Sequence, residues 1–144
     1  MSFAIVVSQF NQSITNQLLQ GAITRLNERG ILDEDMTVVK VPGAIEIPLA
    51  AKLLAQSRKY QAIICLGAII QGETDHYDYV CQQVSQGCSQ IMLQYDMPII
   101  FGILMTQNWH QAEERVGGKA GHKGIEAADT ALIMIDVVRK ILSE

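Results

Sequence analysis

The chain has 144 residues, 49% of them apolar and 18% charged, with 11 Gly, 3 Pro and a formal net charge of −4. That length makes about one domain and supports a real core. The apolar fraction excludes disorder, and the few prolines exclude collagen-like or proline-rich classes.

Residues 3–8 (FAIVVS) read as a first strand. Ser13 is placed to cap a helix whose apolar residues Ile14, Leu18, Ala22 and Leu26 recur every four. Gly30 stands where a helix C-cap belongs. Residues 36–41 (MTVVKV) form a second strand, ended by the turn Pro42-Gly43. A second helix covers 46–58, with Pro48 tolerated in its first turn. Residues 61–66 (QAIICL) read as a strand buried on both faces, followed by a loop over 67–75. A helix from His76 to about Gln94, a strand over 98–105 (PIIFGILM) and a short helix over 109–116 come next. A Gly/Lys-rich loop over 117–124 leads into a last helix over 125–142, with Ala128, Leu132, Ile135, Val138 and Leu142 on one stripe.

Strands alternating with helices predict an α/β fold in one domain spanning 1–144, a doubly wound parallel sheet with helices on both faces. Ligands of such sheets bind beyond the carboxyl ends of the strands. The loops to inspect are therefore 9–12, 42–46, 67–75 and the region after Met105.

Several classes are excluded or unsupported. Eleven Lys+Arg against fifteen Asp+Glu leave no basic footprint for nucleic acid. The longest apolar stretches are half a membrane span or less. The first ten residues carry neither a basic n-region nor a cleavage site, which favours the cytoplasm. Cys65, Cys81 and Cys88 form no C-x-x-C pair and read as buried free thiols; Cys81 and Cys88, about 10 Å apart on one helix, are too distant to bridge. The three histidines share no ligand spacing, so no metal is expected. Residues 117–124 match neither phosphate-loop nor dinucleotide template.

The loop Gly67-Ala-Ile-Ile-Gln-Gly72-Glu-Thr74-Asp75-His76 offers two glycines, a hydroxyl on Thr74 and the amides of Glu73 and Thr74 at a helix start, the usual cradle for phosphate. His76 adds a side chain of the type that moves protons near neutrality. The same residues also read as an ordinary cap with a first-turn histidine. Arg115, with Lys123, is either a bidentate phosphate grip or part of a solvated surface with Glu113 and Glu114. Phe10 ends strand one, where an aromatic either stacks on a flat heterocycle or joins the core. Glu46 is either a dipole-favoured first-turn carboxylate or a partner for ligand hydroxyls.

Six spaced segments give these signals a common meaning. They are Phe10-Asn11…Ile14-Thr15, Val41-Pro42-Gly43-Ala44-x-Glu46-Ile-Pro48 and Leu66-Gly67…Gly72-x-Thr74-x-His76-Tyr-Asp-Tyr-Val80, then Pro98-x-x-Phe101-Gly102, Gln111-Ala112-x-x-Arg115 and Lys119-x-Gly121-x-Lys123-Gly124-x-Glu126-Ala-Ala128. Together, through essentially the whole chain and in order, they resemble the 6,7-dimethyl-8-ribityllumazine synthase family. The resemblance implies a flavodoxin-like three-layer sandwich with a four-stranded parallel sheet. It also implies a transferase that condenses 5-amino-6-(D-ribitylamino)uracil with 3,4-dihydroxy-2-butanone 4-phosphate in riboflavin biosynthesis, releasing phosphate and water and needing no cofactor or metal.

Carried over by motif, His76 is the general acid/base. Arg115, Thr74 and the Glu73 backbone hold the phosphate, Phe10 stacks on the pyrimidine, and Ala44 and Ile45 line its edge. Glu46 accepts ribityl hydroxyls, and Ala68, Ile69 and Ile70 form the floor. Phe101 and the Arg115/Lys123 segment come from the neighbouring subunit, so the resemblance implies a homopentamer with sites between subunits. The implied partners are the two substrates, other copies of the chain and, as a candidate, riboflavin synthase.

Gln71, where Arg or Lys is expected, and His122, where Asn is usual, depart from the pattern and bear on phosphate affinity. The chain begins almost directly at strand one, which favours a free pentamer or a pair of pentamers over a full capsid. The alternative is a non-catalytic flavin- or lumazine-binding protein on the same scaffold; His76, Arg115 and Thr74 together argue against it, because binding alone needs no phosphate grip. A receiver-type signalling domain would want an acidic cluster or a Ser/Thr-rich loop after strand one, and Phe10-Asn11-Gln12-Ser13 supplies neither.

Overall fold

Four runs rich in aliphatic and β-branched residues lie side by side in the computed structural model, which describes residues 1–72 and 76–143. They are β1 (Phe3–Ser8), β2 (Met36–Val41), β3 (Ala62–Ile70) and β4 (Ile99–Thr106), all parallel, in the order β2-β1-β3-β4. Register is set by Phe3 opposite both Met36 and Ala62, and by Ile63 opposite Ile99. The crossovers are α1 (Gln12–Glu28), α2 (Ile47–Gln56) and α3 (Tyr77–Tyr95). After β4 come α4 (Trp109–Glu114), a small hairpin of β5 (Val116–Gly118) and β6 (Gly121–His122), and α5 (Lys123–Leu142).

Strand alternation sends side chains to two cores. Phe3, Ile5, Ile64 and Leu66 pack under α1 and α5 with Ile14, Leu18, Leu26 and Ile135. Ala4, Val6, Ile63 and Cys65 pack under α2 and α3 with Ile47, Ala51, Val84 and Cys88. Each fully buried Leu or Ile contributes about 1.5–3 kcal/mol, so the central strands β1 and β3, buried at every position, anchor the sheet. The result is the predicted α/β sandwich: a four-stranded parallel sheet with helices on both faces.

Where structure and expectation differ, a local cause is visible. Asn11, not Ser13, is the N-cap of α1; it adopts a left-handed conformation (φ 63°), and Ser13 falls inside the first turn. Strand β3 runs four residues beyond Leu66, so Ala68, Ile69 and Ile70 are buried strand residues paired with β4, not loop. The segment over 117–124 is not a loop throughout, since Val116 pairs with His122 and α5 starts at Lys123. Leu142, expected on the buried stripe of α5, is 76% exposed. Cys65 and Cys88 are buried but Cys81 is only half-buried, and all three are free thiols. Gly30 closes α1 as expected: at φ +90° it donates to Asn27 while Ile31 donates to Leu26, the paired bonds of a Schellman end.

Candidate active site

The carboxyl ends of β1, β2 and β3 are tied together by two main-chain bonds and one side-chain bond. Gln9 N–H donates to the Val41 carbonyl (2.8 Å) and Phe10 N–H to the Pro42 carbonyl (2.9 Å), which continues the β1–β2 ladder into the loops. The Asn11 side-chain amide donates to the Ala68 carbonyl at 3.3 Å, tying the same loop to β3. These ties frame a cavity of about 360 Å³ lined by Phe10, Asn11, Ala44, Ile45, the Ala68–Ile70 end of β3 and Val80, with the turn Pro42-Gly43 at its rim. Its walls are almost wholly apolar, and its size is that of a small-molecule site. Phe10 is 51% exposed, which favours the stacking reading of this ring over the core reading.

Glu46 ends a single 3₁₀ turn, Ala44–Glu46, at the entry to α2. Its Oε1 accepts the Gly43 N–H at 2.9 Å, so the carboxylate is oriented by the turn beside the cavity. A carboxylate has acceptor capacity beyond one such bond.

His76 is exposed and forms the left-handed N-cap of α3 (φ 65°), with no side-chain capping bond of its own. Its carbonyl accepts from Val80 N–H at 3.0 Å, and Val80 lines the cavity, so the imidazole is rooted one turn from the apolar wall. Glu73 and Thr74, expected at the phosphate, lie outside the described residues together with Asp75. Burial raises the neighbouring Tyr77 phenol, and the Arg115 guanidinium pulls the other way, so the Arg115 charge reaches the start of α3.

Arg115 and Lys123 are brought together by the hairpin. Asn108 caps α4 through its side-chain oxygen, Arg115 closes that helix, and Lys123 N–H donates to the Arg115 carbonyl at 2.8 Å. The two cations border a hollow of about 320 Å³ with Leu104, Met105 and Glu126. Lys123 also borders a neighbouring hollow of about 310 Å³ with Phe101. Gln71, whose N–H donates to the Thr106 carbonyl, is exposed at the end of the β3–β4 pair.

The sequence-predicted residues thus fall into two groups. Phe10, Ala44, Ile45, Ala68, Ile69 and Ile70 share one cavity, with Glu46 and His76 beside it; Phe101, Arg115 and Lys123 line hollows along the edge strand β4. Among the described residues, the Phe10 cavity and the hollows along β4 share no lining residue. The wall residues Asn11 and Val80, and Glu126 among the cations, were not anticipated as site residues. Asn11 carried a usable signal, being an Asn directly after a strand, the type that tolerates left-handed backbone. Val80 and Glu126 stand in the segments that carry the family resemblance and otherwise carried only helical spacing. Among the described residues, no cluster of three or more His, Cys, Asp or Glu could hold a metal ion, and no helix is long and apolar enough to cross a membrane.

A doubly wound sheet with an apolar, heterocycle-sized cavity at its strand ends and a cation pair along its edge defines a small-molecule α/β enzyme type. Residues 1–139 match the model of the 6,7-dimethyl-8-ribityllumazine synthase family, and the chain belongs to that family. Similar relatives include the 6,7-dimethyl-8-ribityllumazine synthases of three strains of Coxiella burnetii, each 56% identical over 138 residues, covering 96% of this chain and 91% of the relative.

Proposed function

We infer that the chain is a transferase that condenses 5-amino-6-(D-ribitylamino)uracil with 3,4-dihydroxy-2-butanone 4-phosphate to 6,7-dimethyl-8-ribityllumazine, releasing phosphate and water, within riboflavin biosynthesis. The family match over 1–139 carries this reading. The cavity supports it, because a flat apolar slot beside a rigid carboxylate suits a pyrimidine bearing a hydroxylated chain.

The attacking amine belongs to the pyrimidine, so no protein nucleophile is required. Phe10 stacks on the ring, Ala44 and Ile45 line its edge, the Ala68–Ile70 strand end is the floor, and Glu46 accepts ribityl hydroxyls. His76 moves protons during imine formation and loss of phosphate. Arg115, Lys123, Thr74 and the Glu73 backbone hold the phosphate while it departs. Holding two substrates edge to edge removes most of the entropic barrier, so orientation and charge stabilisation outweigh acid–base power.

The same reading makes the working form an oligomer in which one chain's cavity is completed by its neighbour's Phe101, Arg115 and Lys123. The separation of the two groups within one chain supports this. So do the exposed apolar residues Leu49 and Leu53 on α2, and the apolar hollow between Met92, Leu93, Met97, Ile141 and Leu142. A pentamer is the proposed assembly, all 144 residues acting as one domain, and three free thiols fit a reducing cytoplasm. The reaction is tested by mixing purified protein with both substrates and following the lumazine by absorbance against a protein-free blank. A rate well above the blank is expected; a rate equal to it, from folded protein, would demote the enzyme to a binding protein.

A further inference from the structure

The cation hairpin has a fastener that the reaction itself does not use. His122 ends β6 and is the N-cap of α5, its ring Nδ1 accepting the backbone N–H of Ile125 at 3.3 Å. The ring lies flush on α1: a side chain at Gly21 would overlap Cε1 and come within 2.8 Å of Nε2. On the other side Cδ2 stands 3.7 Å from where a Cβ on Gly117 would be, and His122 pairs with Val116 across the hairpin. The imidazole therefore joins three elements at one point, and the residues immediately outside that point are Arg115 and Lys123, which share the Lys123 N–H to Arg115 carbonyl bond.

From this geometry we propose that His122 is a positioning residue that holds Arg115 and Lys123 at the phosphate only while its ring is neutral. The proposal rests on the reading of those two cations as the phosphate grip. The chemistry behind it is simple. A neutral imidazole has one nitrogen lone pair to offer the Ile125 amide, whereas an imidazolium has two N–H donors and none. Protonation thus removes the cap and places a positive charge at the positive end of α5. Burial of the ring already favours the neutral form.

The charged groups around the ring do not hold it neutral or charged by themselves. On α5 the relevant group is Glu126, whose carboxylate favours the proton. On α1 the contact is Gly21, and Arg25, one turn further along, is engaged by Asp129 and Glu28. On β5 the neighbours are Val116 and Gly117, which carry no charge. Arg115 and Lys123 flank the hairpin ends, joined by the Lys123 N–H to Arg115 carbonyl bond.

The test compares the full-length parent with His122→Asn and His122→Ala. Asn caps helices as well as any residue and does not titrate. The KM for the butanone phosphate and kcat are measured from pH 5 to pH 8. Because the substrate phosphate titrates in every variant, the readout is the parent-to-Asn ratio of KM at each pH. That ratio is expected to be near one at pH 8 and to rise by about three- to tenfold below pH 6 with little change in the kcat ratio, the worth of one modest hydrogen bond. His122→Ala should show the raised KM at every pH. A substrate-free arm follows protection of the Ile125 amide, its exchange taken relative to the intrinsic rate at each pH, which should fall at acid pH in the parent and not in the Asn variant.

A ratio that stays flat overturns the proposal, whatever the amide does. Arg115→Ala, measured alongside, tells the two failures apart. If it keeps the parent KM, the phosphate reading itself is wrong and the proposal falls with it. If it raises KM while the ratio stays flat, only the role of His122 is refuted.

Discussion

Asn11 reaches across from the loop after β1 to the last residues of β3, its side-chain amide donating to the Ala68 carbonyl at 3.3 Å from a backbone held at φ 63°. That one residue sets both the aromatic and the floor of the cavity, since Phe10 precedes it and Ala68 receives its bond. Replacing it by Ala removes a hydrogen bond and leaves a Cβ residue in left-handed backbone without the local compensation Asn provides. Asn11→Ala should therefore cost about 1–3 kcal/mol in urea unfolding and raise the KM for the pyrimidine. Asn11→Gly should recover part of the stability but not the KM, because it restores the backbone and not the amide. Equal behaviour of both variants and the parent would mean that the contact does not shape the site.

His76 and Arg115 should fail in different ways. His76→Ala is expected to lower kcat by about a hundredfold, the low end for a general acid–base, with substrate KM values nearly unchanged. Arg115→Ala should raise the KM of the butanone phosphate by about ten- to a hundredfold, the worth of a hydrogen bond to a charged group. Steady-state kinetics with each substrate varied in turn separates the two, and interchanged effects would reverse the assigned roles.

Gln71 lies exposed beside the end of β4, at a position where the resemblance implies a cation. Gln71→Arg should lower the KM of the phosphate substrate by about two- to fivefold at low salt, and less at high salt, because exposed charges are screened. An unchanged KM would mean that the departure is neutral.

The fold should lose stability in acid through His122. Its ordinary pKa is 6.5, and burial lowers it in the folded chain. The unfolded chain thus binds the proton first as pH falls, so the neutral-ring contribution is complete above pH 6.5 and is lost as pH drops through the lower folded value. Urea midpoints of the parent, measured from pH 8 to pH 5, should fall more steeply than those of His122→Asn. Parallel curves would contradict the sign.

Gly124 sits against α1 so closely that a side chain there would overlap the Leu18 carbonyl and lie 3.0 Å from the Leu18 Cα. Gly124→Ala must push α5 off α1 and is expected to cost about 1–3 kcal/mol in unfolding measurements. A neutral substitution would mean that the two helices pack more loosely than described.

Much of this was legible in the chain itself, for reasons that differ by element. Strands β1 and β2 start and stop at the expected residues because each is an apolar or β-branched run bounded by turn residues. Strand β3 was read four residues short because Gly67 looks like the start of a loop; only the pairing with β4 shows that Ala68–Ile70 continue the ladder. The β5–β6 hairpin has too few residues for any periodicity to register, and its glycines read as loop. Ser13 lost the capping position to Asn11 because the choice depends on where the chain leaves β1, which local preference does not encode. In the site, the residues that follow strand ends were visible because the topology puts them there. The separation of Phe101, Arg115 and Lys123 from the Phe10 cavity was legible only through the family resemblance, since no spacing along the chain reports which edge of the sheet a hairpin flanks.

In the proposed assembly the Phe10 cavity of one chain works with the Arg115 and Lys123 of another. Mixing unfolded His76→Ala and Arg115→Ala chains in equal amounts, refolding them together and assaying lumazine formation with the butanone phosphate well below the parent KM tests it directly. If His76 and Arg115 of each site come from different chains, random assembly rebuilds about a quarter of the sites with both residues intact, as a head-to-tail ring requires, and activity rises far above either variant alone. If the mixture is no more active than the variants refolded separately, the site lies within one chain and the account is wrong.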